Sequence, residues 1–188
     1  MSRSAIEAIF ELYERNGARR YGEGVSQLDH ALQCAQLAAL DGARDSLVAA
    51  ALLHDLGHLL EDEDAIAAGT DARHEVRGAA ALRPLFGPDV VQPMALHVAA
   101  KRYLCATEAG YHDRLSEASR QSLRLQGGPL SARQARRFEG VAFFAEALRV
   151  RRYDEGGKID GTAFKPLRDY GDLLGDLCAR DLPAMAWP

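Results

Sequence analysis

The stretch Leu47-Val48-Ala49-Ala50-Ala51-Leu52-Leu53-His54-Asp55-Leu56-Gly57-His58 decides how this chain folds. Its first seven residues are apolar without interruption, so a helix over about Ser46 to Leu60 has no polar face and has to be packed on all sides. That makes it the central helix of a bundle, and it runs straight into two imidazoles and a carboxylate. Burying such groups costs several kcal/mol unless they are partnered, and a metal ion is the partner that histidine and aspartate most readily share. His54 and His58 are four apart and share a face of a helix, with Asp55 turned by about 100°.

Reading outward, helical spacing recurs at Ile6, Ile9, Phe10 and Tyr13, closed by Gly17, and again from Gln27 to Leu40, with Ser26 as the cap and Gly42 as the stop. Asp71 caps a helix through Leu82, and another follows Pro88 through His97 to Leu104, with Pro93 inside it and Gly110 beyond it. Four more patterns cover Leu115–Leu125, Ser131–Phe138, Val141–Tyr153 and Leu167–Ala179, broken by Gly127-Gly128-Pro129 and Gly156-Gly157. Strand alternation is missing throughout, so the expected class is an all-α helical bundle. The tail 181–188 has two prolines and no period, which reads as loosely held.

At 188 residues the chain suits one domain. The 17 Gly and 7 Pro are ordinary, which excludes collagen-like and low-complexity classes. Twenty-three basic and 27 acidic residues give a net charge of −4, and the basic ones are scattered, so no nucleic-acid footprint appears. Three separated cysteines, Cys34, Cys105 and Cys178, fit a reducing compartment, and the cytoplasm is the expected location. No apolar run approaches the ~20 residues that span a bilayer. Glu7 interrupts any signal-like apolar core near the start, so export is not expected.

Three further histidines fall on separate helices, His30, His74 and His97, and Asp154 ends a late one. With His54 and Asp55 they make six candidate ligands, more than one tetrahedral ion takes. If Asp55 bridges, they divide into two sites, and two-metal centres with ions ~3.5 to 4 Å apart serve both hydrolysis and redox chemistry. Mixed imidazole and carboxylate ligation suits iron or manganese. Each histidine alone is better read as a hydrogen-bonded core or surface side chain, but five used independently around a His-Asp pair is improbable. His112, in a turn with no ligand neighbour, reads as solvated surface.

The order His30, His54-Asp55, Asp154 resembles the signature of the HD-domain superfamily, all-α proteins that mostly hydrolyse phosphate esters. His74 and His97 resemble its dinuclear subset. A narrower likeness is carried by His97-Val98-Ala99-Ala100-Lys101-Arg102-Tyr103-Leu104, by Gly22-Glu23 ahead of Gln27-Leu28-Asp29-His30, by Leu115-Ser116-Glu117-Ala118-Ser119-Arg120 and by Gln126-Gly127-Gly128-Pro129. Together these are similar to the mixed-valent diiron oxygenases of the 2-amino-1-hydroxyethylphosphonate dioxygenase type, which cleave carbon–phosphorus bonds. The resemblance runs from about Tyr21 to Lys158. It implies a single HD domain over 1–188, with the metal core at about 21–158 and a C-terminal helix at about 165–180.

The resemblance implies that His30, His54, Asp55 and Asp154 hold one iron and Asp55, His74 and His97 the other, as an Fe(II)/Fe(III) pair with O2 as co-substrate. Lys101 matches the family's substrate-binding lysine and Arg151 its phosphonate-binding arginine, with Ser119 and Gln126 completing that pocket. A cationic pair with hydroxyl and amide donors suits a compact dianion. His58 matches a histidine close to the substrate hydroxyl, where an imidazole of near-neutral pKa moves a proton, so His58 and Lys101 are the expected catalytic groups. Glu23 matches an acid that receives the substrate's cationic nitrogen. The pattern departs at the family's tyrosine, whose place three before that acid is held here by Arg20, while Tyr21 stands two before it.

The implied reaction oxidises a 1-hydroxy-2-amino- or 1-hydroxy-2-(trimethylammonio)ethylphosphonate to inorganic phosphate and glycine or glycine betaine. For the quaternary group, Tyr21, Tyr103 and Tyr153 are the candidate aromatic walls. The main rival is a divalent-metal HD phosphohydrolase acting on a phosphate ester or nucleotide, with the same ligands. A non-enzymatic sensor and an inositol-oxygenase type, whose substrate is a neutral polyol, are further alternatives.

Overall fold

In a computed structural model the described residues are 2–20, 22–60 and 73–178. They form eleven α-helices and one 3-10 turn, with no strand among them; one isolated bridge joins Phe86 to Cys178. The helices are α1 (Ser2–Asn16), α2 (Gln27–Leu40), α3 (Asp45–Leu53), α4 (Leu56–Leu59), α5 (His74–Leu82), α6 (Pro88–Thr107), α7 (Tyr111–Arg114), α8 (Glu117–Leu125), α9 (Ala132–Glu139), α10 (Phe144–Gly156) and α11 (Gly171–Leu177).

The all-apolar stretch behaves as its composition requires: every residue of Leu47–Leu53 is buried, and α3 lies between α2, α6 and α10. Burial of apolar surface stabilises by roughly 25 cal/mol per Å², and all seven residues Leu47–Leu53 belong to the main core. The caps fall where their side chains dictate. Ser26 accepts from Asp29 N at 3.1 Å to open α2, and Ser131 forms a capping box with Gln134 to open α9. α1 is pinned onto the centre by Tyr13, whose hydroxyl donates to Leu52 O at 2.7 Å, and by Asn16, which donates to Leu59 O at 2.8 Å.

The chain departs from the sequence expectation in four places. The helix over 46–60 is not continuous: α3 stops at Leu53, Asp55 takes φ −101° and ψ 8°, and α4 restarts at Leu56. His54 and His58 therefore do not sit on one helical face. The helix expected from Val141 begins only at Phe144, because Phe143 occupies the left-handed region at φ 65°. Leu167–Ala179 divides into a 3-10 turn, Leu167–Tyr170, and α11. The helix expected from Leu115 starts at Glu117, behind a Ser116 cap. Asp71, Tyr21 and the tail 181–188 lie outside the described residues.

Candidate metal centre and its pocket

The break after α3 turns Asp55 into the middle of four imidazoles. Asp55 Oδ2 lies 3.6 Å from His30 Nε2 and 3.5 Å from His54 Nε2, while Asp55 Oδ1 lies 3.3 Å from His74 Nε2 and 3.5 Å from His97 Nε2. Asp154, in the last turn of α10, puts Oδ1 at 3.4 Å from His30 Nε2. All six sequence candidates thus converge, and each oxygen of Asp55 faces a different group.

The arrangement fits cations and little else. His30, His54 and His97 each place Nδ1 against a main-chain carbonyl: Gly157 O at 2.8 Å, Ala51 O at 2.8 Å and Met94 O at 2.6 Å. With Nδ1–H donating, each Nε2 presents a lone pair inward. His30 Nε2 and His54 Nε2 face one another at 3.3 Å, as do His74 Nε2 and His97 Nε2 at 3.1 Å. Two lone pairs at that distance repel unless a proton or a metal ion stands between them. Burial pushes His54 and His97 down, whereas in His30 and His74 it is outweighed, by Cys34 and Asp154 in the one and by Asp55 in the other, and both are pushed up. Asp55 is held well below the usual carboxylate range by His54, His74 and His58 against the opposing effect of burial, and so is Asp154 by Arg151 and Lys158.

Cys34 also approaches His30, but it is 3.7 Å from Nδ1 and 3.8 Å from Nε2, across the ring rather than along a lone pair, and it donates to Tyr153 O. We read it as packing. It is met there by Gly157, where an added Cβ would lie 2.6 Å from Cys34 Sγ; that close approach brings Gly157 O to His30.

Lys101, on α6 one turn after His97, is only 4% exposed and donates to Ser122 Oγ at 2.8 Å. Ser119 is buried and accepts from Lys158 Nζ at 3.0 Å. Gln126 caps the end of α8 with its Oε1 buried and unpaired among the described residues. Arg151 is 2% exposed and donates from Nη1 to Asp154, from Nε to Tyr111 Oη at 3.0 Å and from Nη2 to Glu155 Oε1 at 3.5 Å. His58 lies on the other side of the break, its ring stacked on His74 at 3.9 Å. His112, in α7, has its side chain 51% exposed, as surface. Tyr103, half-buried and bonded to Glu139 at 2.9 Å, and Tyr153, hydrogen-bonded to Asp41 at 2.5 Å, are both anchored by acids.

Sequence reasoning missed Lys158. Its Nζ donates to Glu23 Oε1 at 2.7 Å and to Ser119 Oγ, and lies 3.5 Å from Asp154 Oδ1. Glu23, expected as a receptor for a substrate cation, is already paired through Oε1 with Lys158 and with Ser116 at 2.8 Å. A lysine after Gly156-Gly157 reads as surface; the one available signal was its spacing four after Asp154. Ser122 and Tyr111 were missed as well, each a partner of a cation distant in sequence.

An HD-domain model matches residues 28–134. The chain is 42% identical over 168 residues to hydroxymethylphosphonate dioxygenase of Gimesia maris, covering 88% of this chain and 84% of that protein. It is 40% identical over 156 residues to [1-hydroxy-2-(trimethylamino)ethyl]phosphonate dioxygenase (glycine-betaine-forming) of Leisingera caerulea, covering 81% and 80%. An uncharacterised protein of Acanthamoeba polyphaga mimivirus is 36% identical over 174 residues, covering 90% and 80%. No helix among the described residues is long and apolar enough to cross a membrane. With the ligand groups of Asp55 in place and both named relatives dioxygenases, the chain belongs to the HD-domain family, as a member of its phosphonate-dioxygenase branch.

Proposed function

We propose that the chain is an iron- and O2-dependent oxygenase that cleaves the carbon–phosphorus bond of a 1-hydroxyphosphonate, giving inorganic phosphate and glycine or glycine betaine from the 2-amino or 2-trimethylammonio substrate. The observation that carries this reading is Asp55, with one oxygen in each of two imidazole groups and Lys101 buried beside them. Two irons held by His30, His54, Asp55 and Asp154 and by Asp55, His74 and His97 would supply O2 activation and Lewis acidity. We take the whole chain as one HD domain working in the cytoplasm on a small anion, with neither nucleic acid nor membrane as partner; the scattered basic residues support this.

The protein's part is binding and orientation. Lys101 and Ser119 present a charge and a hydroxyl to the phosphonate, and Gln126, its Oε1 buried and unpaired among the described residues, adds an amide at the end of the helix that carries Ser119. Arg151 meets three acceptors, which leaves two of its five N–H groups for the substrate. His58, stacked on His74, handles the proton of the substrate hydroxyl.

Lys101 gives the reading a pH signature. Burial, with Arg151 and Lys158 nearby, pushes its ammonium down to about 8. Below that pH the site keeps its charge; above it the charge is lost, so kcat/KM should fall as pH climbs past 8, chiefly through KM. Lys101→Arg should carry activity past that pH. For stability the sign is opposite: the folded pKa lies below the unfolded one, so the penalty is fully present below 8 and relieved between 8 and 10.5. Lys101→Met should therefore unfold at a higher temperature at pH 7, by up to about 3 kcal/mol of stability, while losing phosphonate binding.

The test of function is phosphate release by iron-loaded protein with and without O2, from 2-amino-1-hydroxyethylphosphonate, its trimethylated analogue and hydroxymethylphosphonate. Release that requires O2 is expected. Silence on all three, with phosphate ester hydrolysis on manganese, would replace the oxygenase with the hydrolase.

A further inference from the structure

Three of the four imidazoles around Asp55 are fixed from behind by main-chain carbonyls, and His74 is the exception. It is the first residue of α5, following Arg73 in the left-handed region at φ 49°. Its Nδ1 faces the carboxylate of the next residue, Glu75, at 3.8 Å from Oε2. That distance is about 1 Å beyond a hydrogen bond. Glu75 Oε2 is itself buried and takes no hydrogen bond among the described residues, and the side chain is only 13% exposed. A buried carboxylate oxygen without a partner, beside an imidazole nitrogen whose other face is turned to the cluster, is an unmade bond with both halves present.

We propose that Glu75 is the positioning residue of the second metal site: an ion on His74 Nε2 is held there by closure of a His74 Nδ1–H bond onto Glu75 Oε2. Carboxylates behind metal-bound imidazoles fix ring orientation and raise ligand basicity, and their removal typically costs 10–100-fold in metal affinity. The two sites then differ in kind. The His30 and His54 rings lean on backbone that no side-chain change can remove, whereas the His74 ring leans on one side chain. Affinity at the second site depends on Glu75, and affinity at the first does not.

This rests on the two-metal reading above, and the test separates the two. Wild-type, Glu75→Ala and Glu75→Gln proteins are stripped of metal, checked for folding by circular dichroism and titrated anaerobically with Mn(II). Calorimetry reads affinity and electron paramagnetic resonance reads coupling. We expect two ions per wild-type chain with a coupled signal. Glu75→Ala should keep one ion at wild-type affinity, weaken the second by 10–100-fold and show an isolated Mn(II) signal. Glu75→Gln, whose amide oxygen still accepts from Nδ1–H, should restore most of the second site. Two ions of wild-type affinity in Glu75→Ala would overturn the inference, as would equal weakening of both. A wild-type chain that takes a single ion would overturn the two-metal reading and the inference with it.

Discussion

Asp55→Asn is expected to lose the second metal ion outright, to weaken the first by more than 10²-fold and to release no phosphate. The asymmetry follows from what each group keeps. On the Oδ1 side only His74 and His97 remain, at 3.3 and 3.5 Å from where the carboxylate oxygen was, and two neutral imidazoles make a poor site. On the Oδ2 side His30, His54 and Asp154 remain, three donors that still attract an ion. A change behind a ligand costs 10–100-fold, so loss of a shared ligand charge should exceed that range. Asp154→Asn is the counterpart. It should spare the second ion and weaken the first, because His30 is the one imidazole of the group that Asp154 approaches, and it leaves Arg151 buried against a neutral amide. Metal per chain after dialysis, measured with turnover on both variants, checks the ordering. Two tightly held ions in Asp55→Asn would rule out its bridging place.

How far the sequence alone reaches depends on whether a residue's neighbours are local. The caps Ser26 and Ser131 and the unbroken apolar run of α3 were legible because each acts within a few residues. The metal candidates were legible for a different reason: histidine and aspartate are costly in a core, so six of them at helical positions ask for an explanation. The break at His54-Asp55 was not legible, since Leu56, Leu59 and Leu60 continue the apolar pattern straight through it. Just past the break Gly57 runs against the main chain of His74, a contact 17 residues away in sequence that leaves no local signature. Arg151 announced itself as a cation, but its partner Tyr111 is 40 residues away, and Glu23 meets Lys158 across 135 residues. Such pairings are decided by packing and leave no periodic trace.

The pairing of Glu23 bears on how a cationic substrate would bind under the proposed function. Its Oε1 is shared by Lys158 and Ser116, so an ammonium group reaching it would meet a carboxylate already paired, and Arg20 bonds to Gly24 O on the same loop at 2.6 Å. On the proposed reading, a substrate amine would compete with Lys158 for Glu23, whereas a phosphonate would meet Ser119 on the same lysine. Lys158 thus joins Glu23, Ser119 and Asp154, a connection that neither its sequence context nor the expected Glu23 contact suggested.

Gly57→Ala should do the largest damage of any single methyl group. An added Cβ would sit on the carbonyl oxygen of His74 and within 2.6 Å of its carbonyl carbon, and the obstacle is main chain, which no rotamer change can clear. α4 and α5 would have to separate, and Gly78, whose own Cβ would reach Gly57 N at 3.0 Å, shows how close the helices run. Overpacking ordinarily costs about 1–3 kcal/mol, and a backbone collision belongs at or above the top of that range. For a chain of this size that is a fall of roughly 10 °C in Tm. Separation also carries His74 off Asp55 Oδ1 and off the His58 ring, so the second ion should go while the first stays, because His30 lies on α2, His54 at the C-terminal end of α3 and Asp154 on α10. Gly175→Ala is the control: it lies inside α11 with open space around its Cβ position, and should be neutral or stabilising by up to about 1 kcal/mol. Thermal unfolding and metal content of the two variants decide the matter. A Gly57→Ala protein that melts with the wild type and keeps both ions would mean that the α4–α5 contact does not hold His74 in place.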